Sequence, residues 1–259
     1  LYGFNNERIK LIMAYTTINK STDHFDTLLW TGNSTADSGT QNITGLNFQP
    51  DFMWNKTRSI SENHILTDVL RGTNSFLRSN SSAASYNPAN CYQIPLSNGF
   101  TAQGDEGGEF NNTNFTYGTL NWKGSGAGAA NTAGSINSSV SVNTASGFST
   151  VKWTANGGNA TIGHGLGKIP QMIIVKSLAN STSWMVYSTE SGNDSELALN
   201  TNAAASGSST AWQDTTPTAN VFYVSGGAGD GVNASGDYVA YCFANIQGYQ
   251  KHGFYQGNG

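Results

Sequence analysis

The chain repeats itself, and no other property of its sequence restricts the fold as tightly. Phe25 to Asn33 (FDTLLWTGN) matches Phe148 to Asn156 (FSTVKWTAN) at an offset of 123 residues. Pro50 to Lys56 matches Pro170 to Lys176, and Leu77 to Asn80 matches Leu199 to Asn202. Pro95 to Phe100 then matches Pro217 to Phe222, and Tyr117 to Trp122 matches Tyr238 to Phe243. Five blocks keep one order while the offset drifts by only a few residues, as happens when loops change between fixed strands. Gly248 to Gly259 resembles the start of the second copy and could open a third repeat. In that case the protein continues beyond Gly259, or the segment docks on a neighbouring domain.

Each copy reads as strands. Runs rich in β-branched and aromatic residues, such as Phe25–Trp30, Phe52–Lys56, His64–Leu70, Phe148–Trp153 and Tyr238–Phe243, are separated by Gly, Asn and Ser clusters. No stretch keeps a helical period over three turns. The expected fold is all-β, two tandem β-sandwich (jelly-roll or lectin-like) repeats of about 100–120 residues. The boundaries follow from the blocks: a lead segment 1–24, repeat one 25–124, a segment 125–146, repeat two 147–247 and a C-terminal strand 248–259. Met13 reads like a natural start after twelve residues that lack the apolar run of a secretion signal. Within the middle segment, Gly124–Gly134 reads as a flexible linker. Ser138, Val140 and Val142 alternate as a strand that pairs with Phe148–Trp153.

Composition narrows the function classes. Charged residues are 11% of the chain, against about 25% in an ordinary domain, and the net charge is −4. A nucleic-acid partner, which needs a basic face, is excluded on this count. No membrane insertion is expected either, the longest aliphatic run, Met172–Val175, being far too short for a spanning helix. Cys91 and Cys242 lack metal-ligand spacing and read as buried thiols.

The chemical motifs are sparse. Gly163 to Lys168 resembles a phosphate loop, but Ile169 and Pro170 follow where a P-loop needs Ser or Thr and a helix. Asp105, Glu106 and Glu109 form the acidic cluster, a solvated loop by default and Ca²⁺ its candidate ion. On a strand His64 shares a face with Glu62 and Asp68, but no activated nucleophile stands nearby. Trp30, Trp54, Trp122 and Trp153 lie in matched blocks and read as core. Trp212 lies in a loop beside Gln213 and Asp214, and the matching region of copy one carries Tyr86 and Tyr92. Loop aromatics beside amides and carboxylates suit a sugar ring, so Trp212, Asp214, Tyr86 and Tyr92 are the candidate ligand residues. No cofactor is expected.

Four motifs of the first copy carry a resemblance. Trp30–Asn33, Gly45–Arg58, Asp68–Gly72 and Asn80–Ala84 resemble, in order, a repeat of tailed-phage virion proteins, many of them marine. Val232–Ala244 and the residues that follow resemble the same repeat, although copy two has Gln171 for Asp51 and reads as lacking the Arg-Gly pair. The resemblance implies a non-enzymatic structural protein of the virion, on a tail fibre or appendage that meets host surface glycans. A capsid decoration or fibre shaft without a ligand is the alternative, and a cellular carbohydrate-binding or adhesive β-protein is another. The implied partners are other virion proteins and copies of the chain itself, a trimer for preference.

Overall fold

More and less buried side chains alternate along Phe25–Thr31, Thr40–Thr44, Thr116–Trp122 and Val221–Val224, whereas Met172–Ser177 and Asp237–Phe243 are buried along almost their whole length. A computed structural model describes residues 15–35, 38–207, 209–227, 231–256 and 258. Leu1–Ile12 and Met13, with their start-site expectation, lie outside the described residues, and of the lead segment the structure gives a 3₁₀ turn, Ser21–Asp23.

Repeat one comprises β1 (Phe25–Thr31), β2 (Thr40–Thr44), β3 (Phe52–Thr57), β4 (His64–Asp68), β5 (Gly72–Leu77), β6 (Tyr92–Leu96), β7 (Gly99–Gln103) and β8 (Thr116–Trp122). β9 (Ala129–Asn131) and β10 (Ser138–Asn143) follow, then β11 (Phe148–Thr154), β12 (Ala160–Gly163), β13 (Met172–Ser177), β14 (Met185–Ser188), β15 (Leu197–Ala198), β16 (Val221–Val224) and β17 (Asp237–Phe243). The large sheet of repeat one runs β1-β8-β3-β4-β5, and that of repeat two runs β11-β17-β13-β14-β15, extended at its β11 edge by β10 and β9. Small sheets β2-β7-β6 and β12-β16 close the two sandwiches. Strand order therefore repeats, as the matched blocks require.

Register repeats too. Phe25 faces Trp122 and Trp30 faces Tyr117, while Phe148 faces Phe243 and Trp153 faces Tyr238. Trp30 stacks on Tyr117 with ring centroids 4.5 Å apart and meets Phe100 edge-on at 5.8 Å. Trp153 stacks on Tyr238 at 5.4 Å and meets Phe222 edge-on at 5.8 Å. The two tyrosine hydroxyls accept equivalent backbone N–H groups, from Asn112 at 3.0 Å and Ala234 at 3.1 Å. Asn111 and Asn233, both fully buried, donate to Asn33 and Asn156. A buried amide left unpaired costs about 1–3 kcal/mol, so each pair fixes its loop as well as filling space.

One pairing moves. The ladder sets Leu77 opposite Leu66 and Leu197 opposite Val186, so Leu197, not Leu199, is the partner of Leu77. The ladder geometry outweighs a two-residue similarity.

Three apolar clusters cover the inner faces of the two large sheets and part of their outer faces. One fills each sandwich, around Trp30 and around Trp153. The third lies between the two large sheets, joining Phe52, Leu66 and Leu77 to Phe148, Trp184 and Tyr241. Phe52 stacks on Tyr241 with centroids 4.0 Å apart. The repeats are thus fused through faces that a lone sandwich would turn to water. Trp54 and Trp122 belong to this outer side and are only half-buried, unlike Trp30 and Trp153, which correct the expectation of four core tryptophans to two.

The middle segment departs from the expected flexible linker. β9 pairs with β10, and the Asp51 carboxylate accepts the N–H groups of Gly124 (2.7 Å) and Gly126 (3.1 Å). The expected pairing of β10 with Phe148–Trp153 is present. At the other end, the described part of 248–259 forms a turn and the isolated bridge Ile246–Gln250 rather than a strand. Both cysteines are buried thiols, and burial pushes Cys242 up to about 12.

Candidate functional site

The residues singled out for chemistry are largely engaged in packing. Trp212 is 1% exposed, packs edge-on against Tyr187 and donates its indole N–H to the Ser195 carbonyl at 3.1 Å. The next residue, Gln213, donates its amide to the carbonyls of Ala160 and Val224 at the end of the small sheet. Gln213 and Asp214 both take positive φ, 54° and 48°, a conformation these bonds offset. This turn stands where repeat one has β6, so the Trp212 loop completes the second sandwich and offers no ring to a sugar. Asp214 is exposed on it, and Tyr92 is half-buried at the start of β6 in the other repeat.

Tyr86 and the acidic cluster do come together, around a cation the sequence did not suggest. Arg78 Nε donates to Glu109 at 2.7 Å, its Nη2 to Glu106 at 3.3 Å, and its guanidinium lies 4.3 Å above the Tyr86 ring. Asn63 and the Tyr86 hydroxyl donate to the same Glu109 carboxylate. Glu109 is 7% exposed, so it is no solvated loop residue. An arginine fills the place a Ca²⁺ ion would need, and among the described residues no group of His, Cys, Asp and Glu has a metal-holding arrangement. Asp105 lies at the turn, accepting the Gly107 N–H.

The Asp68–Arg71 pair has a different task. The two side chains are fully buried, with Nε 2.5 Å from Oδ2, and the Tyr241 hydroxyl of the other repeat donates to the same oxygen at 2.8 Å. Arg71 also donates to the carbonyls of Ser75 and Leu66, while Asp68 Oδ1 accepts the Leu70 and Arg71 N–H groups. Burial pulls the guanidinium down, but Asp68 and Tyr241 outweigh it and leave it raised; burial pushes Tyr241 well up. Repeat two keeps the turn without the charges. Ser191 bonds Ser188 there, and Gly192 (φ 89°) matches Gly72 (φ 96°), so only the arginine of the Arg-Gly pair is missing.

His64 accepts the Trp54 indole N–H on Nδ1 at 3.0 Å, so its proton sits on Nε2. Burial, then the charge of Lys56, lowers its pKa and keeps it neutral. His164 is buried between the Leu166 N–H and the Thr218 carbonyl, at 3.2 and 3.1 Å, and closes a turn rather than a phosphate site.

What stays open is a groove on the outer face of the first large sheet. It encloses about 440 Å³ and is lined by Thr27, Leu29, Trp54, Lys56, Arg58, His64, Gly118, Thr119 and Leu120. Leu29 is 68% exposed and Leu120 39%, which on a sheet face marks an uncovered surface. A second hollow of about 400 Å³ continues past Trp54 over Phe25, Trp122 and Met172, with His252 and Tyr249 at its rim. Sequence reasoning missed the groove because it assigned these tryptophans to the core. The available signal was two-sided apolarity: in Phe52-Met53-Trp54 and in Tyr117 to Leu120 both faces of the strand carry large apolar side chains.

Fold and groove together define an all-β protein of two fused sandwiches in which part of the first large sheet's outer face is left uncovered. The chain belongs to the DUF7483 family, a domain of unknown function, matched over residues 20–259 and hence across both repeats. No curated protein and no solved structure matches the chain.

Proposed function

We propose that the chain is a non-enzymatic structural protein of a tailed-phage particle, a fibre-shaft or decoration module whose work is assembly. One observation carries the proposal: the motifs that resemble phage virion proteins do structural tasks. Asn33 ties to Asn111, Asp51 holds the inter-repeat segment, and Asp68 with Arg71 locks Tyr241. Asn80 Oδ1 accepts the His64 N–H and fixes the loop after β5. Further support comes from the groove, where leucines and Trp54 meet cations and, among the described residues, no carboxylate. A reaction needing paired acids finds no pair there. Host-glycan contact through Trp212 is set aside, because its ring is buried.

Peptide mass spectrometry and immunogold imaging of purified particles test this. The expected result is the chain in stoichiometric amount on an appendage or head surface. Its absence from particles, or sugar release from a polysaccharide that is lost on Glu109→Gln, overturns the proposal.

A further inference from the structure

The junction between the repeats is one-sided. A loop of repeat one, 78–85, sits on a socket formed by Lys176, Leu178 and Trp184 of repeat two, with Tyr241 stacked against Trp184. Trp184 donates its indole N–H to the carbonyls of Arg78 (2.9 Å) and Ser81 (3.1 Å). Lys176 donates to the Ser82 carbonyl at 3.2 Å, and the Leu178 carbonyl accepts the Ser85 N–H at 3.1 Å. Apart from the Ser85 hydroxyl, which also donates to the Leu178 carbonyl at 2.9 Å, these contacts use backbone carbonyls and amides of the loop and depend little on its sequence.

The ladders give each member an equivalent. Trp122 and Phe243 share a register position, which sets Leu120 against Tyr241. Phe52 and Met172 share another, which sets Lys56 against Lys176 and Arg58 against Leu178, with His64 against Trp184. Those four equivalents all line the open groove. The loop has its counterpart as well. The bridge Phe76–Tyr86 brackets 78–85, and the bridge Glu196–Ser206 brackets 198–205 at the same spacing. Asn80 accepts the His64 N–H, and Asn200 accepts the Trp184 N–H, so the two loops are held alike. Yet residues 201–205 are exposed, and so is the groove. A two-fold junction would have seated the second loop in the first groove. Both halves of that contact are instead left unused on one molecule.

We propose that the chain associates head to tail with a second copy of itself, loop 198–205 of one molecule seating in the Leu29–Trp54–Leu120 groove of the next. The groove carries the chemistry the internal socket uses. Lys56 donates to the Thr57 carbonyl and, at 3.5 Å, to that of Ile60, as Lys176 does to that of Asn180, and the third donor of the ammonium is left for a partner. His64 presents an N–H on Nε2 where Trp184 presents its indole N–H. Leu29 and Leu120 supply the apolar area that the contact removes from water. A heterologous contact of this kind closes into a ring or runs on as a filament. The inference rests on the groove being an assembly surface but not on a place in a virion, and its test is separate from particle imaging.

The test uses the full chain in sedimentation velocity and light scattering over a concentration series. The wild type is expected to rise above one chain mass with concentration. Leu29→Arg/Leu120→Arg in the groove and Ala203→Arg/Ala204→Arg in the loop are each expected to weaken association by roughly tenfold or more. All four positions are partly or well exposed, and circular dichroism confirms that each variant is folded. Mixing the groove variant with the loop variant is expected to give a capped 1:1 dimer, because each retains one intact surface. A wild type that stays monomeric throughout overturns the proposal. So does association that ignores both variants, or a mixture that forms no dimer. A bound glycan or peptide found in the groove of a monomer overturns it too.

Discussion

Replacing Arg71 with Met probes the fusion of the two repeats at its centre. The methionine keeps most of the side-chain volume and removes the charge. Asp68 then remains buried with the Tyr241 hydroxyl and two backbone N–H groups but no cation. Breaking a fully buried pair from one side costs about 3–5 kcal/mol. The carbonyls of Ser75 and Leu66 also lose a donor, which places the loss toward the upper part of that range. For a chain of this size the melting temperature should fall by roughly 6–20 °C. Asp68→Asn/Arg71→Met removes both charges while the same two carbonyls stay undonated. It should therefore be less costly than Arg71→Met alone by at least about 1 kcal/mol. Urea unfolding followed by tryptophan fluorescence gives both values, and an unchanged m-value shows that the repeats still unfold together. A loss below about 1 kcal/mol for the single variant, or a double variant no better than the single, refutes the reasoning.

The other expectations concern the core and the titrating groups. Trp212→Ala should cost about 3–5 kcal/mol in the same unfolding assay, as for a buried aromatic; a near-neutral result would return its ring to the surface. Burial lowers Lys176 from 10.5 to about 8, so between those values the unfolded chain holds a proton that the folded chain has released, and stability gains with pH. The gap in stability between wild type and Lys176→Met should move in favour of the wild type from pH 8 to 10, and a flat gap contradicts the assignment. Burial is the first cause lowering all four histidines, so protons bind the unfolded chain first, and stability falls as pH drops through 6.5. The slope is at most about 1.4 kcal/mol per pH unit for each histidine, measured by urea unfolding from pH 7 to 5, and His164→Asn should flatten it. Added salt should change stability by less than about 1 kcal/mol, since the strongest ion pair is buried and the exposed ones are few.

The duplication and the all-β class were legible because they reside in local pattern: block order, alternation, and turn residues between runs. The strong strands β3, β8, β11, β13 and β17 were legible for the same reason. The polar strand Thr40–Thr44 and the two-residue strand Leu197–Ala198 were not, because tertiary pairing rather than propensity makes them extended. Trp212 misled because a loop position says nothing of burial when the loop folds inward to replace a missing strand. Arg78 and Glu109 lie 31 residues apart, and Arg71 and Tyr241 170 apart, so no spacing rule links them. The groove escaped because the apolar outer face of β3 and β8 reads as core, and which part of that face stays open is set by how the repeats stack.

An experimental structure at side-chain resolution tests the account most directly, by superposing Phe25–Trp122 on Phe148–Phe243. The account predicts that Trp30 falls on Trp153, Tyr117 on Tyr238 and Asn111 on Asn233. It also predicts that Tyr241 reaches Asp68 across the junction while Leu120 reaches nothing equivalent in its own chain. Unrelated surroundings for the two tryptophans, or loop 198–205 folded back into its own groove, would contradict it.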